Sequence, residues 1–249
     1  MTQHFATRQL RFFLTAPSPC PYLPDRFERK VFAHLPLSDG AAINDALTQV
    51  GFRRSQNIAY RPACEGCDAC VSARIPTTDY PCSRSERRVM DRNRDLARNL
   101  VEAEATMEQF DLLRRYLLAR HAEGGMADMT WGDYVAMVED TSARTHLIEY
   151  RAPSNDRGPG DLVAGVLVDV LSDGLSLVYS FYAPDMARRS LGSFIILDHV
   201  SQAVQAGLPY VYLGYWVQGS AKMAYKARFN PIEVLRPGGW ALMSARDRD

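Results

Sequence analysis

The order of hydrophobic patterns between residues 145 and 243 constrains the fold of this chain most. Residues 145–150 and 161–171 read as strands flanking a loop, 151–160, that is rich in Pro, Gly, Ser and Asn. Residues 175–181 follow across Ser172-Asp173-Gly174, a hairpin turn signal, so the three runs predict an antiparallel meander. Residues 191–206 then carry Phe194, Leu197, Val200 and Val204 at helical spacing and stop at Gly207. A strand at 210–217, a short helix at 220–228 and a hairpin of 232–235 with 240–243 over Pro237-Gly238-Gly239 complete the series.

The first half reads differently. Pro17, Pro19, Pro21, Pro24, Pro36, Pro62, Pro76 and Pro81 punctuate its first 80 residues, which predict loops, strands at 55–60 and 70–75, and a helix at 38–50 capped by Ser38 or Asp39. A long helix is expected from 83 to 100, a second from 107 to 121 ending at Gly124-Gly125, and a third over 131–138. Three strands, helix, strand, helix and hairpin is the order of the GNAT acyltransferase core. The expected class is therefore α+β, a GNAT-like core of antiparallel or mixed sheet with flanking helices, preceded by a smaller cysteine-containing domain. With 249 residues there is room for both, divided as 1–104 and 105–249.

Charge is balanced, 29 Lys+Arg against 29 Asp+Glu, which excludes a bulk polyanion binder held by total charge. The balance is uneven along the chain: residues 1–120 carry 18 cations and 14 anions, residues 121–249 carry 11 and 15. Only Lys30, Lys222 and Lys226 are lysines; the rest are arginines, the better fork for phosphate and carboxylate. No run of about 18 apolar residues predicts a membrane span. No basic-then-apolar leader opens the chain, and an odd number of cysteines does not read as a disulfide framework, so a reducing cytoplasm is the expected setting.

Four segments carry chemistry. On a helix through residues 83–101, Arg84, Arg87, Arg88, Arg92, Arg94 and Arg98 would fall within an arc of about 160°, opposite Val89, Met90, Leu96 and Leu100. That face suits tRNA phosphates, or it is a solvated surface paired with Asp91 and Asp95. Cys64, Cys67 and Cys70 stand at metal-ligand spacing, and Cys20 or Cys82 would supply a fourth ligand. Zinc, an iron–sulfur cluster and a metal-free packed subdomain are all compatible with this spacing. Between the meander and its helix, Arg188, Arg189, Ser190 and Gly192 surround a helix start whose N–H groups would receive an anion. A helix cap by Ser190 is the plain alternative. Residues 210–229 place Lys222, Lys226 and Arg228 beside tyrosines and a tryptophan, where cations fit a carboxylate-bearing ligand better than they fit a core.

Together, CPYLP (20–24), YRPACEGCDACVSARIP (60–76), RHAEGGM (120–126), SFYAPD with SLGSFIILDHV (180–200) and YVYLGYWVQGSAKMAYKARFNPIEVL (210–235) resemble the arginyl/leucyl-tRNA–protein transferase family. Within it they are most similar to the bacterial aspartate/glutamate leucyltransferase branch. Leu23 departs from the Cys-x-Tyr-Cys of the eukaryotic branch, and Ala183 replaces an acidic residue, so neither feature is carried over. The resemblance implies transfer of Leu from leucyl-tRNA to the α-amine of proteins beginning with Asp or Glu, which marks them for N-degron degradation. No cofactor is required, since the donor is an activated ester. On this reading Tyr182 and Tyr215 lie near the ester, Asp169 and Asp185 are the nearby carboxylates, and Lys222, Lys226 and Arg228 receive the acidic acceptor. The arginines of 84–98 and 188–192 would hold the tRNA. Arginyl-tRNA as donor, an acetyl-CoA-dependent N-acetyltransferase, and an RNA- or protein-binding module are the rivals.

Overall fold

In the computed structural model, residues 10–120, 126–154 and 160–248 are described; His121, the Gly124-Gly125 stop and the centre of the 151–160 loop lie outside them. The chain opens with β1 (Phe12–Leu14), β2 (Ser18–Pro19), β3 (Phe27–Glu28), β4 (Lys30–His34), α1 (Gly40–Gln49), β5 (Arg53–Ser55) and β6 (Ile58–Pro62). These give a small sheet ordered β1-β4-β6-β5, a separate β2-β3 pair, and a minor core of Leu35, Phe52 and Ala59.

There follow β7 (Cys70–Pro76), α2 (Arg84–Arg92), β8 (Ala97–Val101), α3 (Met107–Arg120), α4 (Trp131–Glu139) and the meander β9 (Thr145–Arg151), β10 (Leu162–Val170) and β11 (Gly174–Tyr182). Then come α5 (Leu191–Gln205), β12 (Tyr210–Val217), β13 (Glu233–Arg236) and β14 (Gly239–Leu242). Eight of these strands form one sheet, ordered β14-β13-β7-β12-β11-β10-β9-β8. The β11–β12 pair is parallel, with α5 as its crossover, and the other pairs are antiparallel. An antiparallel meander, a crossover helix and a parallel strand are the expected GNAT-like order.

Burial explains the layering. The sequence LVAGVLVDV of β10 is buried at every position but the last, so this strand is covered on both faces. Its main core takes Leu113 and Leu117 from α3, Tyr134 from α4 and Ile195 from α5 against Leu147, Val166 and Leu167. Each such side chain contributes about 1.5–3 kcal/mol on burial. The central sheet draws strands from both sides of residue 104: β7 lies between β12 and β13, and β8 edges the meander beside β9.

The helix expected over 83–100 is two elements. Ser83 and Glu86 close a capping box that starts α2, and the helix ends at Asn93. Asn93 is buried, and its amide donates to the carbonyls of Val89 and Arg189, which turns the chain there. Residues 97–101 then find ladder partners on β9, including Leu100 opposite Ile148. A pairing edge on the meander thus overrides helical propensity. Arg84, Arg87, Arg88 and Arg92 stay on the helix, Arg94 lies in the turn, and Arg98 is on a strand.

Candidate active site

Strands β11 and β12 begin side by side and then part. Their pairing spans only Gly174–Ser176 with Tyr210–Tyr212, although both strands run on for several residues. A register shift follows on β12 between Tyr212 and Gly214, and Gly214 has φ +71°. Arg53, from β5 of the small sheet, reaches to both strands where they part. Its Nη2 donates to the carbonyl oxygens of Val178 at 2.9 Å and Leu177 at 3.3 Å on β11. Its Nη1 would lie 1.7 Å from any Cβ at Gly214 on β12, so this position admits only glycine.

Tyr182, at the far end of β11, is half-buried and packs its ring 4.9 Å from that of Tyr116 on α3. Gly192, in the first turn of α5, lies under it: a Cβ there would be 3.1 Å from the Tyr182 hydroxyl. The phenol therefore borders the amino end of α5. Desolvation raises the phenol of Tyr116 well above its usual range, and the neighbouring phenols of Tyr182, Tyr179 and Tyr225 add to the rise. Arg120 adds a cation 6.0 Å from the Tyr182 ring. Tyr225 is one of the tyrosines of 210–229, whereas Arg53 and Tyr116 carry no motif in the sequence. Two consecutive arginines in a strand must point to opposite faces, and that was the one available signal for Arg53.

The amino end of α5 meets α2. Arg189 forms a two-pronged ion pair with Asp95 at 2.7 and 2.8 Å, Arg92 donates to the Arg188 carbonyl, and Asn93 bonds the Arg189 carbonyl. The Arg189 pairing holds the Asp95 carboxyl below the usual range. Ser190 is in the left-handed region at φ 54° and makes no side-chain cap, so the plain capping role does not hold for it. Arg84, Arg87, Arg88, Arg92, Arg94 and Arg188 are exposed around this junction. Arg98 is drawn aside, 3.9 Å from Asp198. Asp185 is exposed in the turn Pro184–Arg189, and Ala183 before it is buried.

Other expected residues lie elsewhere. Asp169 is buried 1 % exposed, with Arg54 on both carboxylate oxygens and Thr145 and Asn44 alongside. That carboxylate is a structural junction away from Tyr182. Tyr215 is also buried, its hydroxyl within reach of the carbonyls of Gly51 and Tyr60 at 3.0 and 2.9 Å. Burial raises its phenol well above the usual range. Lys226 is 3 % exposed, and its ammonium donates to the carbonyls of Leu213 and Tyr215. Desolvation lowers its pKa well below the usual lysine range. A lysine so buried braces the β12 bulge and does not reach solvent. Lys222 and Arg228 are exposed nearby.

Cys20, Cys64, Cys67 and Cys70 do meet, lining one small cavity of about 60 Å³ with Tyr22 and Tyr215. All are free thiols, and burial together with the neighbouring thiols pushes Cys70 up to about 12. Arg26 Nη1 lies 3.1 Å from the Cys67 sulfur, and the Cys64 thiol donates to the Arg29 carbonyl. Among the described residues no three His, Cys, Asp or Glu side chains converge closely enough to hold a metal ion. The arrangement of the described residues does not fit a zinc or iron–sulfur ligand set. Nor is any helix of the described residues long and apolar enough to cross a membrane.

The meander, crossover and parted strand pair define an α+β protein with a GNAT-like core. Residues 18–88 match the family described as arginine-tRNA-protein transferase, N terminus, and residues 108–236 match its C terminus. The chain belongs to the arginine-tRNA-protein transferase family, a family of aminoacyltransferases. It is similar to the aspartate/glutamate leucyltransferase of Caulobacter vibrioides (strain NA1000 / CB15N), 79% identical over 248 residues, covering 100% of this chain and 89% of the relative. The protein of that name from Phenylobacterium zucineum (strain HLK1) is 78% identical over 247 residues, covering 99% and 96%. Among solved structures, L-PGS from Bacillus licheniformis shares the fold at TM-score 0.50 and 11% identity, over 72% of this chain and 62% of that one.

Proposed function

We propose that this chain transfers leucine from leucyl-tRNA to the α-amine of proteins beginning with Asp or Glu, so marking them for N-degron degradation in the cytoplasm. The observation that carries the reading is the junction of Tyr182 with the amino end of α5, where Arg92 and Arg188 meet beside the parted strands. Relatives so similar in sequence that are named leucyltransferases favour leucine over arginine as the transferred group.

The exposed arginines of α2, with Arg94, Arg188, Arg189 and the first N–H groups of α5, hold tRNA phosphates near its acceptor end. Gly192 and Tyr182 then border the aminoacyl ester. The acceptor amine attacks the ester carbonyl; a C–N bond forms and the bond to the ribose oxygen breaks. The Tyr182 hydroxyl stabilises the oxyanion or returns a proton to the departing ribose hydroxyl. An α-amine titrates at about 7.7–8, so a water relay suffices to deprotonate it, and Asp185 at the mouth is the candidate to receive that proton. The ester is already activated, so positioning supplies most of the acceleration and no cofactor is needed. Lys222 and Arg228, both exposed, steer acidic acceptors towards the site.

The test is transfer of labelled leucine from leucyl-tRNA to peptides beginning Asp, Glu, Lys or Ala. Label on the Asp and Glu peptides alone is expected, and Tyr182→Phe should slow it at least tenfold. Tight acetyl-CoA binding without leucyl transfer would point to an N-acetyltransferase instead.

A further inference from the structure

The half-buried guanidinium of Arg53 has no counter-ion among the described residues. Among the described residues no carboxylate lies within ion-pair distance of it, and only Nη2 has acceptors, on β11. The groups that feel its charge are phenols and one amine. Desolvation raises the phenols of Tyr22, Tyr215 and Tyr225, and the Arg53 charge opposes the rise in each. The same charge adds to the lowering of buried Lys226. A partly desolvated charge held among dipoles and a second amine lacks the partner that would offset its desolvation.

We infer that Arg53 receives the acidic side chain of the acceptor, which enters where β11 and β12 part. This deepens the leucyl-transfer reading and rests on it. The gap favours one carboxylate over a polynucleotide. The phosphate-type arginines lie on an open surface at α2, whereas Arg53 stands between two strands, pinned by β11 carbonyls and by Gly214. Pinning holds its unused donors in place at little entropic cost. Lys226, bonded to β12 carbonyls, is left to shape the gap, and Arg53 takes the place that residue type alone would have given to the lysine.

Steady-state transfer from leucyl-tRNA to peptides beginning Asp, Glu, Asn or Gln tests this with the wild type, Arg53→Gln and Arg53→Lys. Wild-type transfer to the Asp peptide is the control. Its absence overturns the leucyl-transfer reading and this one with it, and the other outcomes bear on Arg53 alone. Arg53→Gln should raise KM for the Asp peptide about a hundredfold and leave KM for leucyl-tRNA unchanged. Its preference for Asp over Asn should fall by a similar factor. Equal loss towards Asp and Asn would mean a strand-bridging role only, and a KM rise confined to leucyl-tRNA would mean a phosphate contact; either result overturns the assignment. Arg53→Lys keeps the charge with a shorter reach, so it should retain the acid-over-amide preference and shift Asp/Glu choice towards the longer Glu about fivefold. If Arg53→Gln does not fold, an unchanged Asp/Glu ratio in Arg53→Lys overturns the inference.

Discussion

Arg54 and Asp169 form a buried two-pronged ion pair, Nε to Oδ2 at 2.7 Å and Nη2 to Oδ1 at 2.8 Å, each side chain 1 % exposed. The pair joins β5 of the small sheet to β10 of the large one and so fixes the neighbouring Arg53 in its gap. Removing one partner strands the other charge away from water. Arg54→Ala is expected to cost about 3–5 kcal/mol in urea unfolding, and Arg54→Met with Asp169→Leu to recover most of it. A loss below about 1 kcal/mol in the single variant would show that the pair is not sealed.

Gly214 and Arg53 compete for the same space. Gly214→Ala should destabilise the fold by about 2 kcal/mol or more, from positive φ and from overlap with the guanidinium. Arg53→Ala in the same chain should relieve the overlap but not the backbone strain. A double-mutant cycle in thermal unfolding measures this; strict additivity would deny the contact.

How far the sequence reached depends on which interactions decide each element. The meander, α5, β12 and the closing hairpin are legible, because short apolar runs, the period-3.6 pattern of α5 and the Asp173-Gly174 and Gly238-Gly239 turns all agree. Residues 93–101 were misread as helix because the pairing edge of β9 and the buried amide of Asn93 are tertiary. Residue type alone makes Lys226 a binding cation. Its depth follows from the fold of 224–228 against β12, which periodicity cannot show. The cysteines were legible as a group, and Cys20 rather than Cys82 joins Cys64, Cys67 and Cys70 at one cavity.

Acid should weaken the fold through His199. The ring is 2 % exposed on α5 and bonds the Ile195 carbonyl through Nδ1 at 2.7 Å. Burial lowers its pKa; Asp198 opposes this and Arg98 adds to it. The unfolded chain then binds the proton that the folded chain refuses, so stability is full above about pH 6.5 and falls as pH drops below it. The slope approaches about 1.4 kcal/mol per pH unit for this one group. Urea midpoints at pH 7.5 and 5.5 should differ more in the wild type than in His199→Leu; equal differences would remove His199 as the cause.

The arginines of α2 should be felt in salt dependence. Changing Arg87, Arg88 and Arg92 together to Glu is expected to weaken tRNA binding and to reduce the slope of log affinity against log salt by about 2 to 3. Circular dichroism is the check that the fold is kept, since Arg92 also donates to the Arg188 carbonyl. An unaltered slope would assign this helix to structure alone.

Mass spectrometry of one competition reaction tests leucine transfer most directly. The chain is incubated with equal leucyl-tRNA and arginyl-tRNA and a peptide beginning with Asp, and the product is fragmented to locate the added residue. One leucine on the α-amine of Asp, with none on a matching peptide beginning with Lys, is the predicted product. An arginine in its place, an adduct elsewhere on the peptide, or no adduct at all would contradict it.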